Sequence, residues 1–152
     1  VAQLKAGMAV IDKVLARGFD PFDLMPRIEE WGPWIEAKRR EQEALAKATP
    51  QLFVSLSGRQ MGFIETTAIG AVGALYEMGC EVAVAFSPRF GDPPRPKYSI
   101  GGRGVRVDHL LPHLAALEEG WGGPGHGTII ASPRTGSRLD AATVIELVRK
   151  WV

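Results

Sequence analysis

Residues 118–133, EEGWGGPGHGTIIASP, hold the most chemically suggestive spacing in this 152-residue chain. Gly122, Gly123, Gly125 and Gly127 surround His126 and leave the backbone N–H groups there uncovered by side chains. Such a loop can close around a phosphate or carboxylate, with the imidazole adding a hydrogen bond. The same glycines would also serve a tight turn that leaves the histidine on the surface. The loop is not a P-loop, because no Gly-Lys-Ser/Thr follows. A second glycine cluster, YSIGGRG at 98–104, brings Ser99 and Arg103. An arginine beside bare backbone suits bidentate phosphate recognition, and a plain surface arginine is the equal alternative.

Other side chains offer less. His109 and His113 stand four apart beside Asp108, the spacing of a metal-binding pair on one helix face. Pro112 lies between them and fits only a first helical turn, and no glutamate completes a zinc-protease pattern. A structural role is therefore expected for both histidines. Arg134 and Arg138 are expected in a solvated loop, and Thr66 or Thr67 as a helix N-cap. Trp31, Trp34 and Trp121 could stack on bases, but burial against a helix is the commoner fate. The single cysteine, Cys80, opens a buried strand and is expected to be inert. One cysteine excludes an internal disulfide and a thiolate metal cluster, and it suits a reducing cytoplasm. No aspartate–histidine cluster could hold a divalent metal pair, and no nucleophile–base arrangement stands out. The chain reads as able to bind and not to catalyse.

The net charge of +1 gives no overall field for a polyanion, so any such site must be a local patch. Hydrophobic residues at 45% and charged residues at 23% describe an ordinary globular domain. No apolar run approaches a bilayer span, and the opening residues do not form a signal peptide. The chain opens on VAQLK without a methionine, as expected of a trimmed chain.

The elements that must position these residues fall into two parts. In the first fifty residues, Leu4, Met8, Ile11, Val14 and Leu15 recur at helical spacing, with Gly18 as a stop. Asp20 and Pro21 then form an N-cap and a first helical position. Residues 34–48 form a polar helix with a thin apolar face of Trp34, Ile35, Ala37 and Leu45, and its KRREQE run is a solvated face. After Pro50 the pattern changes. QLFVSLSG is a strand with GRQMGFIET as its hairpin partner. TAIGAVGALYEMG is a helix packed through Ile69, Val72 and Leu75, with Gly70 and Gly73 permitting close approach and Gly79 ending it. CEVAVAFSP is a buried strand, RFGDPPRPK a proline-rich loop and KYSIGG a short strand. VDHLLPHLAALEEG is a helix with Asp108 as N-cap, GTIIAS a strand, and LDAATVIELVRKW a capped terminal helix. This order predicts an α/β fold, a mixed β-sheet flanked by helices and preceded by a helical connector.

The sequence KYSIGGRG, then VDHLLPHLAAL, then GWGGPGHGTIIAS resembles the C-terminal DHH-associated domain of the DHH phosphoesterase superfamily. That family includes RecJ-type exonucleases and the oligoribonucleases that also cleave phosphoadenosine phosphate. RQMGFIETTAIGAVGALYEMGCEVAVAF is similar to the family's earlier strand–helix–strand unit. Pro124 interrupts the glycine run, Arg103 falls four residues after Ser99, and Asp108-His109-Leu110 is not the DHH motif. The resemblance implies that residues 51–152 are a DHH-associated α/β substrate-binding domain. Residues 1–50 would be a helical connector to a missing N-terminal domain. It further implies that Gly122, Gly123, Gly125 and His126 form the substrate loop, with Ser99 and Arg103 as companions. In the family the missing domain holds manganese or magnesium ions that activate water, so this chain would carry no cofactor and be inactive alone. The expected partner is a nucleic acid, a short oligonucleotide or another phosphate ester, in a cytoplasmic, non-membrane hydrolase that could be a homodimer. The small net charge favours a short substrate over long-polymer wrapping. Two other readings stand beside this one. In the first, the chain is an interaction or assembly module that pairs through the polar helix at 34–48. In the second, it is a small metal enzyme using His109 and His113.

Overall fold

The computed structural model describes residues 2–16 and 28–152, and the chain divides into two units, Val1–Ala46 and Lys47–Val152. The expectations for Gly18 and for Asp20 with Pro21 lie outside the described residues. In the first unit, helix α1 spans Ala2–Ala16 and helix α2 spans Ile28–Lys47, with Pro33 inside α2. On α2, Glu36 accepts from Arg39 at 2.8 Å and from Arg40 at 2.9 Å, while Arg39 also pairs with Glu43. These guanidinium groups hold the Glu36 carboxyl down at about 2, on the solvated face that the sequence predicts. Leu4, Met8, Ile11 and Leu15 stand exposed along α1.

The second unit is an α/β fold around a mixed five-stranded sheet. Its strands are β1 (Gln51–Val54), β2 (Gln60–Glu65), β3 (Val82–Phe90), β4 (Arg95–Gly102) and β5 (Ile129–Ala131), lying side by side in chain order. Only β2 and β3 run parallel. A parallel pair needs a crossover, which helix α3 (Ala71–Glu77) supplies. A 3-10 turn, Asp108–Leu110, leads into helix α4 (Leu111–Leu117), and helix α5 spans Ala141–Trp151. No helix among the described residues is long and apolar enough to cross a membrane.

Alternation along the strands divides the sheet into two unlike faces. Met61, Phe63, Val82, Val84, Tyr98, Ile100 and Ile130 form a core with Leu114 of α4 and with Val144 and Val148 of α5. Each large apolar side chain buried there is worth about 1.5–3 kcal/mol. Phe86, Tyr98 and Trp121 stack through it, with ring centroids 4.5 Å and 6.0 Å apart. On the opposite face α3 sits directly on two strand glycines. A Cβ on Gly62 would come 2.7 Å from the Cys80 sulfur and from Leu75, and one on Gly101 would overlap the Tyr76 hydroxyl.

Several expectations are corrected. RFGDPPRPK is a tight hairpin and not a long loop, because β3 runs on to Phe90 and β4 begins at Arg95. Pro88 is accommodated where the β3–β4 register shifts, a place in a sheet that tolerates a missing N–H. Helix α3 starts only at Ala71, after Gly70 with φ +91°, and no side chain caps it. Thr66 instead accepts from the Ala68 N–H at 3.1 Å in a local turn, and Ile69 stays exposed. Gly70 and Gly73 face open space, so the close approach is made by Gly62 and Gly101 on the strands. Asp108 is the first residue of the 3-10 turn and caps nothing, since its carboxylate is taken by Arg106 two residues earlier.

Candidate functional site

Strand register brings part of the predicted site together. Ser99 lies opposite Ala85 on one side and Ala131 on the other. Ala131 in turn exchanges both backbone hydrogen bonds with Gly122, at 3.0 and 2.7 Å. Ser99, Ala131 and Gly122 therefore share one cross-strand row, with Ser99 and Gly122 about 10 Å apart by strand spacing. The row is a floor of small groups carrying one hydroxyl.

The loop that follows separates its glycines into two kinds. Gly123 backs against the Ile129 carbonyl, and a Cβ there would overlap that oxygen. At Gly127 a Cβ would meet the Arg106 guanidinium at 2.6 Å, and φ is +79°. The Gly127 carbonyl accepts from the Val107 N–H at 2.7 Å and from the Asp108 N–H at 3.3 Å. These two glycines serve the chain's own packing. Gly122 and Gly125 meet nothing within 4 Å, and Gly125 is exposed with φ +89°. His126 is exposed between them and the strand, its Nδ1 hydrogen-bonded with the Thr128 hydroxyl at 2.8 Å. That bond fixes the ring and leaves Nε2 without a hydrogen bond to another described residue.

Arg103 is used differently. Its N–H donates to the Glu81 carbonyl at 2.8 Å, and its guanidinium donates to the Tyr76 carbonyl at 3.0 Å. The second bond adds to the one that the Tyr76 carbonyl, at the end of α3, already accepts from the Gly79 N–H at 3.1 Å. Arg103 stands four residues beyond Ser99, about 13 Å along the strand direction. Val72 and Tyr76 stand over Gly101 between them. Ser99 and Arg103 are thus not brought together as a pair. Arg103 and His126 instead flank the hydrogen bond from the Gly102 N–H to the Thr128 carbonyl, 2.8 Å long.

One residue that holds this loop escaped the sequence reading. Glu118 accepts from the Trp121 indole at 3.2 Å, the Ser137 hydroxyl at 2.6 Å and the Arg138 N–H at 2.7 Å. The three-residue step from Glu118 to Trp121 was visible in the sequence, but the link to Ser137 was not. Trp121 is buried, as expected, and anchors the loop to the core through Tyr98. The Tyr98 hydroxyl, pushed up to about 12 by burial with carboxylates nearby, donates to the Leu139 carbonyl at 2.9 Å.

The remaining candidates have structural partners. His109 Nε2 hydrogen-bonds with the Trp151 carbonyl at 2.8 Å, and His113 stacks on the Trp151 ring at 3.9 Å. Both histidines therefore dock the end of α5. Burial pushes the Cys80 thiol up, away from the reactive thiolate. Among the described residues no three His, Cys, Asp or Glu side chains gather closely enough to hold a metal. The chain matches no protein-family model, and no curated protein is significantly similar to it.

Proposed function

We propose that the unit Lys47–Val152 is the substrate-binding domain of a DHH-family phosphoesterase, gripping the terminal phosphate or nucleotide of its substrate. What supports this reading is the exposed His126, oriented by Thr128, beside two glycines that the fold itself does not fill. A phosphate over the loop would accept from the Gly125 N–H and from the imidazole Nε2, in the open space beside Gly122, whose own N–H is held by the Ala131 carbonyl. The Ser99 hydroxyl, about 10 Å from Gly122 in the same row, offers a further polar contact on the same floor. Arg103 holds the Tyr76 carbonyl through Nη1 alone and keeps its other guanidinium N–H groups for an anion, so one side chain would link the ligand to the end of α3. The metal chemistry that the resemblance implies belongs to a domain outside this chain.

A heteronuclear NMR titration with adenosine monophosphate and a short single-stranded oligonucleotide tests this. The amides at 122–127 are expected to shift together, and His126→Ala to abolish the shifts without altering the rest of the spectrum. Static amides at 122–127 would reduce the loop to a turn. An assembly role is the second reading, favoured by the exposed stripe Leu4, Met8, Ile11 and Leu15 on α1. Light scattering on Met8→Glu against the parent chain separates it: a loss of mass supports assembly, and an unchanged monomer removes it.

A further inference from the structure

A second cluster lies at the other end of β4. The hairpin tip between β3 and β4 and the loop after β5 enclose a groove of about 330 Å³. Phe90, Asp92, Arg95, Lys97, Arg134 and Gly136 are among its lining residues. The two walls are tied together, since the Ser137 N–H donates to the Pro96 carbonyl at 2.9 Å. Gly136, with φ +97°, lets its loop lie close to the hairpin, where a Cβ would come 3.2 Å from the Arg95 Cβ.

Three cations and one carboxylate face this groove, in a chain whose overall net charge is only +1. Arg39, Arg40, Arg59, Arg106 and Arg149 each meet a carboxylate. Arg95 and Arg134 make no side-chain hydrogen bond or ion pair with another described residue. Lys97 lies over the Phe90 ring, 5.1 Å from its centroid, and that ring is 48% exposed. Unpaired guanidinium groups beside a half-exposed aromatic ring suit a single-stranded nucleic acid, which offers phosphates to the cations and a base to the ring.

Position adds a direction. Arg95, Lys97 and Ser99 occupy alternate positions of β4 and so project from one face, about 7 Å apart. The groove therefore leads along β4 to Ser99, where the cross-strand row that holds Ser99 and Gly122 begins. A repeat of that size is of the same order as the phosphate spacing of an extended single strand. We propose that this groove binds the phosphodiester backbone of a single-stranded oligonucleotide whose terminal phosphate occupies the glycine–histidine loop. The inference rests on the proposed function for where the strand ends, while the contact in the groove stands on its own residues.

The test is fluorescence anisotropy of a labelled six-residue oligothymidylate on the 152-residue chain, from low to moderate salt. Arg95→Gln with Arg134→Gln is expected to weaken binding at least tenfold. It should also flatten the log–log salt slope by about 1.4, since each phosphate contact on a single strand contributes about 0.7. Phe90→Ala is expected to weaken binding on the order of tenfold with the slope unchanged, because stacking releases no counterions. Circular dichroism of each variant checks that the fold is kept, and Lys97→Gln gives an independent variant for the slope. Unchanged affinity and slope in the double variant would overturn the proposal. So would equal competition by inorganic phosphate at the same phosphate concentration, which would make the groove a general anion site. If adenosine monophosphate fails to shift 122–127 while oligonucleotide binding still depends on Arg95 and Arg134, the terminal-loop reading fails and the groove contact stands.

Discussion

Strand β4 presents two surfaces with opposite characters. Tyr98 and Ile100 point into a core closed by α4 and α5, while Arg95, Lys97, Ser99 and Gly101 point to a face on which α3 sits over Gly101 and Gly62. The first face spends its residues on burial, stacking and a hydroxyl bond to Leu139. The second carries small and charged groups and contributes little to the core. A side chain moved by one position along this strand changes its work from holding the fold to meeting a ligand. The two faces can be perturbed separately, and the expected effects differ in size.

The largest effect is expected on the closed face. Tyr98→Ala removes the middle ring of a three-ring stack and should cost about 3–5 kcal/mol by urea denaturation. A cost below about 1 kcal/mol would mean that the stack is not a unit of stability. Next comes a contrast within the loop. Gly123→Ala forces a methyl into the Ile129 carbonyl and should cost about 1–3 kcal/mol. Gly125→Ala meets open space and should cost only about 1 kcal/mol, from its positive φ. Equal losses would erase the distinction between self-packing and open glycines. On the open face, Ser99→Ala should leave stability within about 0.5 kcal/mol of the parent while weakening nucleotide binding. A stability loss without a binding loss would assign Ser99 to the fold.

The smallest effect concerns Asp140, which caps α5 by accepting from the Thr143 N–H at 2.8 Å. That bond, with the one from the Thr143 hydroxyl, holds the Asp140 carboxyl below its ordinary value. A depressed folded value stabilises the protein above the unfolded carboxylate range and loses that support as pH falls through the folded value. Asp140→Ala should therefore lower the melting temperature at neutral pH and flatten its fall on acidification. Asp140→Asn should keep most of the capping and lose the pH dependence.

The elements were legible because each has a period or a stop. Apolar pairs marked β2 and β3, Gly79 ended α3, and Asp140 capped α5. The β3–β4 hairpin was hidden because Pro93, Pro94 and Pro96 read as a loop when the strand partner is unknown. At the site, the sequence showed where glycines cluster but not which atoms face them. Gly101, Gly102, Gly123 and Gly127 are filled by the chain's own atoms, and only Gly122 and Gly125 in the candidate loop are open. Arg103 could not be assigned to the end of α3 without knowing that Gly101 lies beneath Tyr76. The groove at Arg95, Lys97 and Arg134 joins segments some forty residues apart and has no local spacing to reveal it.

The carbonyl of Gly127 ties the timing of two segments together. It holds the amides of Val107 and Asp108, which lead into α4, so the loop bearing His126 cannot lift away without releasing the start of that helix. Loop opening and fraying of the first turn are then one event on the hydrogen-exchange timescale. The Val107 amide, buried and bonded to the Gly127 carbonyl, becomes a slow clock for that event. A ligand that holds the loop shut would lengthen its exchange lifetime without touching it.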